Sequence, residues 1–181
     1  MHLRSKLLLE AGFQHAFFTR QGGCSPAPFD SLNFSASSGD DPQNVERNFE
    51  TAASTLQVER AHLFCVSQVH GTDIRRVHQS DDVAVVIKTQ ADSLITTSPR
   101  VAVGVRIADC VPILLADRNT GVVAAIHAGW RGAVGNIVGK TIAHWPNQSA
   151  DLIAAIGPHI SLKSFEVGEE VATHFANDFK R

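Results

Sequence analysis

The chain has 181 residues and a formal net charge of −2, from 16 lysines and arginines against 18 aspartates and glutamates. Hydrophobic residues make up 44% and charged residues 19%, which excludes the disordered, collagen-like and coiled-coil classes. The length is typical of one domain, and the scattered basic residues give no indication of binding to nucleic acid or to an anionic membrane.

The N-terminal residues have a basic start but only a short apolar run, from Leu7 to Leu9. A signal peptide needs about 7–15 apolar residues and a membrane helix about 18 or more. We therefore expect a cytoplasmic protein without a membrane segment. The three cysteines argue against a disulfide framework, because their number is odd and their spacing irregular: Cys24, Cys65 and Cys110.

The first half of the chain is predicted to contain short strands and one well-defined helix. Asp41 and Pro42 predict an N-cap and a first helical residue, and apolar residues then recur at helical spacing as far as about Leu56. Aromatic, β-branched or otherwise apolar runs predict the strands, which we place at residues 13–19, 63–70, 83–87 and 92–95.

The second half predicts a run of strands followed by helices. A turn composition at 117–121 joins two strands into a hairpin, and a glycine-rich corner at 128–132 leads into a helix that reaches Trp145. The remaining elements are strands at 101–107, 111–116, 122–126 and 152–156 and a final helix from 169 to about 177. Strands and helices do not alternate strictly, so we expect an α+β fold with mixed or antiparallel sheet.

The hairpin brings a cysteine and a histidine together. With the turn centred on Asn119, antiparallel pairing places Cys110 opposite residue 127, 128 or 129. Directly opposed side chains have Cβ atoms about 4.5–5.5 Å apart. A thiol and the imidazole of His127 at that separation can share a proton or a metal ion.

His70 is the natural third member of this group, because it also ends an apolar segment and precedes a Gly-Thr-Asp turn. Two histidines and one cysteine match the three-ligand set of a catalytic zinc site, whose fourth position is open. Two other interpretations remain: a metal-free pair in which His127 activates Cys110, and a buried thiol beside two hydrogen-bonded histidines without a catalytic role.

Two arginines lie in glycine-rich loops that suit an anion such as phosphate. Arg131 lies in the corner after His127, and Arg20 precedes Gly-Gly at 22–23. Either can equally be a surface residue beside a tight turn. Asp109 and Asp92 are interpreted as general-base candidates or as turn residues.

Six segments, in order, resemble the YfiH/FAMIN family, whose members are also called polyphenol-oxidase or laccase-domain proteins. The resemblance as a whole runs from about residue 13 to 172, which is essentially the whole chain. The segments are Phe18-Thr19-Arg20-Gln21-Gly22-Gly23, Gln68-Val69-His70-Gly71, Ala91-Asp92-Ser93-Leu94-Ile95-Thr96, Ala108-Asp109-Cys110-Val111-Pro112, His127-Ala128-Gly129-Trp130-Arg131-Gly132 and Ile156-Gly157-Pro158.

The resemblance implies an α+β fold of α/β/β/α layers and one zinc ion bound by His70, Cys110 and His127. It also implies a purine nucleoside enzyme that cleaves adenosine, inosine and methylthioadenosine with phosphate and deaminates adenosine. Older descriptions of the family imply copper-dependent phenol oxidation, and some bacterial members are linked to editing of peptidoglycan precursors. A nucleoside-binding protein without turnover is the non-enzymatic alternative.

The expected partners are a nucleoside and phosphate, and the expected substrate-binding residues are Arg20, Gln68 and Arg131. Arg20 and Arg131 are chosen for their chemistry as phosphate ligands. Two features depart from the family pattern. We expect residues 1–181 to form one domain that lacks the family's usual C-terminal segment, with its Cys-Thr element and aromatic-Arg-Arg run, which implies either an incomplete sequence or a shortened family member. His159 stands where a cysteine or a small residue is common.

Overall fold

The structure is a computed structural model that describes residues 1–147 and 151–178. In chain order its strands are β1 (His2–Leu3), β2 (Phe17–Phe18), β3 (Leu63–Phe64), β4 (Ile74–Val77), β5 (Ser93–Thr96), β6 (Ala102–Val103), β7 (Val111–Asp117), β8 (Val123–Ala128) and β9 (Leu152–Ile156). Its helices are α1 (Lys6–Glu10), α2 (Pro42–Thr55), α3 (Val83–Val86), α4 (Trp130–Val134), α5 (Ile137–Ala143) and α6 (Glu169–Asp178), with a 3-10 turn at Arg60–His62.

The main sheet has five strands in the order β4-β5-β8-β7-β9. Strands β4 and β5 are parallel, and the other neighbours in this sheet are antiparallel. Two smaller sheets pair β1 with β2 antiparallel and β3 with β6 parallel. The expected α+β class with mixed sheets is therefore confirmed.

Helix α5 covers one face of the main sheet. Ile95 and Ile126 on that face form a buried cluster with Ile137 and Trp145 from the helical side. Successive residues of a strand point to opposite faces, so Leu94, the neighbour of Ile95, belongs to a different cluster on the other face.

The β3–β6 pair forms a second layer on that other face. Phe64 and Val66 are fully buried and belong to the same cluster as Leu94. The alternate residues Leu63 and Cys65 pack instead in a cluster with helix α2. Since α5, the main sheet, the β3–β6 pair and α2 follow one another, the layers are α/β/β/α as expected.

Helix α2 agrees with its predicted bounds, because Asp41 is the N-cap and its side chain accepts a hydrogen bond from Gln43 N at 2.8 Å. The predicted strand at 83–87 was wrong. Its β-branched residues form helix α3, and Asp82 caps that helix by accepting a hydrogen bond from Ala84 N. A capping side chain outweighed the strand preference of valine here.

Three predicted strands are much shorter than expected. The runs at 13–19, 63–70 and 101–107 contribute only the two-residue strands β2, β3 and β6. Beyond Phe64 the chain leaves β6, and Ser67 pairs with Gln90 instead.

The prediction of one continuous helix from the glycine-rich corner to Trp145 was also wrong. Asn136 adopts a left-handed conformation (φ 56°) that separates α4 from α5.

Candidate metal centre

Three separate segments place His70, Cys110 and His127. His127 lies on β8, Cys110 immediately precedes β7, and His70 lies in the loop between β3 and β4. The β7–β8 register pairs Pro112 with His127, so Cys110 lies opposite Gly129, within the predicted range. Cys110 is therefore a diagonal neighbour of His127 on the same face, a separation that side chains still bridge.

The ligand-type atoms of these three residues all lie within 4.8 Å of one another. The imidazole rings of His70 and His127 meet edge to face, with their centroids 4.8 Å apart. His127 is buried, Cys110 is partly buried and His70 is exposed. The group therefore has a protein side and a side open to solvent, as a site that takes a ligand from solution requires.

Asp92 fixes the orientation of His127. Its Oδ1 atom accepts a hydrogen bond from His127 Nδ1 at 2.7 Å, and His127 N donates to Asp92 O at 2.8 Å. Residue 92 precedes β5 and stands opposite residue 127 in the β5–β8 register. Because Nδ1 carries the proton that Asp92 accepts, Nε2 has a free lone pair for a metal ion.

The same carboxylate holds the His70 loop. Three consecutive N–H groups, those of Val69, His70 and Gly71, donate to the two oxygens of Asp92 at 3.2, 3.0 and 2.7 Å. His70 takes a left-handed conformation (φ 58°), which turns successive N–H groups toward one anion. One fully buried carboxylate thus connects both histidines.

Burial and neighbouring charges set the protonation of the group. Burial raises the pKa of Asp92, but the hydrogen bonds from His127, Gly71 and Val69 outweigh it and hold that pKa below its usual value. Burial lowers the pKa of His127, against the opposing effect of Asp92. The pKa of Cys110 is raised by burial and further by Asp109 and Asp92. At neutral pH and without a cation, the raised pKa of Cys110 favours the protonated thiol, and the lowered pKa of His127 favours the neutral imidazole.

Gly129 is required by the close approach of His70 and Cys110, two of the candidate ligands. A Cβ atom at this position would lie 2.9 Å from His70 Cδ2 and 3.3 Å from Cys110 Sγ. Gly132 is similarly close to Gly71, since its Cβ would lie 3.1 Å from the Gly71 carbonyl oxygen. The glycine-rich corner thus lets the His70 loop pack against the β8–α4 connection.

The structure places the three substrate-binding candidates in different surroundings. An open cavity of about 1460 Å³ beside the centre is lined by Arg20 and Gln68, whereas Arg131 lies outside it. Arg131 is exposed, with its guanidinium 4.4 Å from the centroid of the Trp130 ring. The amide of Gln68 is bonded to the backbone of Arg106. Their roles toward a substrate stay predictions.

Asp109 and His159 lie at the same end of the cavity. Both line it, and Ile160 N donates to Asp109 O at 2.9 Å, which holds the segment after β9 against the chain before Cys110. Asp92, by contrast, is a partner of both histidines, a role that the sequence interpretation did not assign. This role follows from the pairing of β5 with β8, and the spacing of residues along the chain does not reveal that pairing.

No helix in the described part of the chain is long and apolar enough to cross a membrane.

A family model described as multi-copper polyphenol oxidoreductase laccase matches residues 14–181. A protein of Shigella flexneri named purine nucleoside phosphorylase YfiH is 36% identical over 159 residues, covering 87% of this chain and 63% of that protein. The chain belongs to the YfiH family.

Other relatives in the family carry related names. A purine nucleoside phosphorylase of Deinococcus radiodurans is 39% identical over 164 residues, which are 89% of this chain and 62% of that protein. The crystal structure of YlmD from Geobacillus stearothermophilus superposes with a TM-score of 0.82 at 33% identity, covering 90% of this chain and 63% of that one. The chain thus spans less than two thirds of the length of these relatives.

Proposed function

We propose that this YfiH family member is a zinc-dependent purine nucleoside enzyme of the cytoplasm. It cleaves the glycosidic bond of adenosine, inosine or methylthioadenosine with phosphate, and it deaminates adenosine. The observation that carries the proposal is the His70, Cys110 and His127 group, within 4.8 Å and open to solvent on one side. The names of the relatives support the substrate class.

The residues present fit zinc. Zinc prefers nitrogen and sulfur ligands, and catalytic zinc sites typically have three protein ligands and one open position. His127 offers Nε2 because Asp92 occupies Nδ1, the second contact that metal-binding histidines usually make. A bound cation would also reverse the raised pKa of Cys110 by favouring the thiolate.

Bound zinc would supply Lewis acidity and an activated water for deamination. The chain's own residues position the reactants. Asp92 holds the ring of His127 and the loop of His70, so neither needs to reorganise. Arg20 is exposed, lines the neighbouring cavity and is the first phosphate candidate, and Arg131 is the second. In phosphorolysis, phosphate replaces the base on C1′ and the products are the free base and the 1-phosphate of the sugar, which is ribose for adenosine and inosine and methylthioribose for methylthioadenosine.

Copper-dependent phenol oxidation is the second candidate, and the description of the family model favours it. Softness alone does not separate the two metals at a site with one thiolate and two imidazoles. Within residues 1–147 and 151–178, however, the structure brings together one group of three such side chains, not the several that a multicopper cluster needs.

A metal-free cysteine hydrolase is disfavoured by electrostatics. An activated cysteine has a lowered pKa, usually beside a cation. Burial, Asp109 and Asp92 instead raise the pKa of Cys110. Action on peptidoglycan precursors and nucleoside binding without turnover remain as outcomes of the test below.

The deciding experiment is product analysis after incubation of the zinc-loaded protein with adenosine, with and without phosphate. Adenine and ribose 1-phosphate that form only with phosphate would support phosphorolysis, and inosine would support deamination. Unchanged adenosine in both samples would contradict the proposal. Phenols and peptidoglycan precursors would then be the next substrates, and tight binding of unconverted nucleoside would support the binding protein.

Two cysteine variants provide the matched comparison. Cys110→Ala is expected to lose both activity and bound metal. Cys24→Ala removes an exposed thiol that hydrogen-bonds to Asn44 and Asn48, and it should retain both. Retention of metal and activity by Cys110→Ala would show that the centre lies elsewhere. Metal analysis of the purified protein separates zinc from copper.

A further inference from the structure

Gln68 and Arg106 connect the two segments that carry His70 and Cys110. Gln68 precedes His70 by two residues, and Arg106 precedes Cys110 by four. Gln68 Nε2 donates to Arg106 O at 2.6 Å, while Arg106 N donates to Gln68 Oε1 at 2.8 Å. The side-chain amide thus makes the paired donor and acceptor contacts that a neighbouring strand would otherwise make.

The guanidinium of Arg106 reaches back to the segment of Gln68 and also to the loop before helix α2. It donates to Val66 O at 2.9 Å and to Phe34 O at 3.3 Å. Both contacts are to backbone carbonyl groups, so the arginine holds main chain and not another flexible side chain. We call Gln68, Arg106 and these four hydrogen bonds the Gln68–Arg106 clamp.

The clamp acts where regular pairing between the two segments has ended. Strands β3 and β6 pair only at Leu63–Ala102 and Phe64–Val103, with one more hydrogen bond from Gly104 N to Phe64 O. The chain then turns away, since Ser67 N donates to Thr89 O. This departure takes His70 toward Asp92 and leaves the segment before Cys110 without its ladder partner.

His70 is consequently held from two directions. On one side its N–H group donates to Asp92, which connects it to His127. On the other side the clamp fixes the backbone two residues earlier against the start of the Cys110 segment. Residues 107–109, between the clamp and Cys110, are exposed and outside any strand or helix, so they cannot set that spacing by packing alone.

We propose that Gln68 and Arg106 are positioning residues that fix the spacing of His70 and Cys110 for metal binding. The inference rests on the proposed metal centre and gives Gln68 a different role from substrate contact. Partners that orient metal-binding side chains by direct hydrogen bonds contribute about 10–100-fold to metal affinity, and we expect an effect within that range from a clamp that positions the backbone of two ligand candidates. Loss of the clamp should therefore weaken binding and change ligand geometry while the fold persists.

The test is titration with cobalt(II), whose thiolate charge-transfer and d–d absorption bands report sulfur ligation and coordination geometry. Gln68→Ala removes both side-chain contacts, and Gln68→Glu keeps the acceptor for Arg106 N but places a carboxylate oxygen against Arg106 O. We expect about 10–100-fold weaker binding and shifted d–d bands in both variants. Arg106→Gln, which keeps the backbone contacts to Gln68, should lose less affinity.

Leu8→Ala is the control for a general loss of stability, because it removes buried methyl groups from helix α1, in a cluster that contains no residue of the two segments joined by the clamp. It should lower the melting temperature without changing the cobalt spectrum or affinity. Wild-type affinity and spectrum in Gln68→Ala would overturn the positioning role alone. Failure of the unaltered chain to bind cobalt with a thiolate band would overturn the metal centre, and the clamp's role with it.

Discussion

Asp92 holds both candidate histidine ligands, although its position in the sequence does not indicate this. Its carboxylate accepts one hydrogen bond from an imidazole and three from consecutive backbone N–H groups. An asparagine in its place has one acceptor oxygen and one NH₂ group. The NH₂ group cannot accept hydrogen bonds, so it would face backbone N–H groups that are left without an acceptor. The negative charge of Asp92 is therefore matched by the N–H groups of the His70 loop and of His127, and a neutral side chain cannot replace it.

Asp92→Asn is expected to weaken zinc affinity by about 10–100-fold, because His127 loses its charged partner and the His70 loop loses its anchor. Competition with a chromophoric chelator measures the affinity. Asp151→Asn is the matched control, since Asp151 is an exposed aspartate whose carboxylate pairs with Arg118. Unchanged zinc affinity in the Asp92 variant would contradict the role assigned to this carboxylate.

Gly129→Ala tests the close approach at the centre. The new Cβ would meet His70 Cδ2 at 2.9 Å, and overpacking of this kind costs about 1–3 kcal/mol. Because this strain falls on the arrangement that binds the metal, we expect zinc affinity to drop by about 5–150-fold. Gly104→Ala is the control, because its Cβ would lie 3.5 Å from Cys65 Sγ, an ordinary contact. Equal affinities in the two variants would refute this account.

At the scale of elements, the hairpin was predictable and its partners were not. The turn at 117–121 and the two apolar runs beside it determined β7 and β8 almost to the residue. Local composition contains that information. Pairing of β8 with β5 is non-local, and so the contact between Asp92 and His127 could not be derived from spacing. The α3 segment shows the converse, since a single capping aspartate reversed the preference of its valines.

The break between α4 and α5 gives a prediction about one helix. Asn136 has φ 56°, and its Oδ1 atom accepts a hydrogen bond from Gly139 N at 3.1 Å. Alanine would lose the cap, at about 1 kcal/mol, and bear the left-handed conformation, at about 1–2 kcal/mol. Glycine adopts that conformation readily and costs only a few tenths of a kcal/mol as an N-cap, by the same order-of-magnitude scale.

Urea denaturation should therefore rank the free energy of unfolding as wild type, then Asn136→Gly, then Asn136→Ala, with about 2 kcal/mol or more between the wild type and the alanine variant. The reverse order of the two variants would mean that neither the cap nor the left-handed backbone decides the break. The pair forms its own control, because both substitutions remove the same side-chain amide.

At the scale of the whole molecule, the proposed metal centre joins distant parts of the chain. Its candidate ligands lie in the loop after β3, just before β7 and near the end of β8, and Asp92 lies just before β5. The sequence indicated the three ligand candidates because His70 and His127 end apolar runs and Cys110 begins the strand that pairs with the His127 strand. It could not identify the clamp, since Gln68 and Arg106 are 38 residues apart and meet through irregular backbone.

Removal of the metal should consequently destabilise the entire fold. A ligand present at about 100 times its Kd stabilises the native state by about 2.7 kcal/mol. For a chain of this size, that corresponds to about 5–10 °C in melting temperature. We expect a chelator to lower the melting temperature of the zinc-loaded protein by this amount, as measured by calorimetry.

Cys110→Ala supplies the comparison for this measurement. Because the variant lacks the thiol ligand, its melting temperature should respond little to the chelator. A chelator effect of the same size in wild type and variant would show that the cation stabilises some other part of the molecule. Restoration of the wild-type melting temperature by added zinc would establish reversibility.

The pairing of residue 92 with residue 127 also has a consequence for synthesis. The two are 35 residues apart, and His127 follows all the other residues of the centre along the chain. A ribosome therefore releases His70, Asp92 and Cys110 before β8, the strand that carries His127, has been synthesised. Until β8 has emerged and entered the sheet between β5 and β7, the nascent chain exposes a thiol without a complete ligand set. Binding of a metal ion at the proposed centre therefore has to wait until β8 has entered the main sheet.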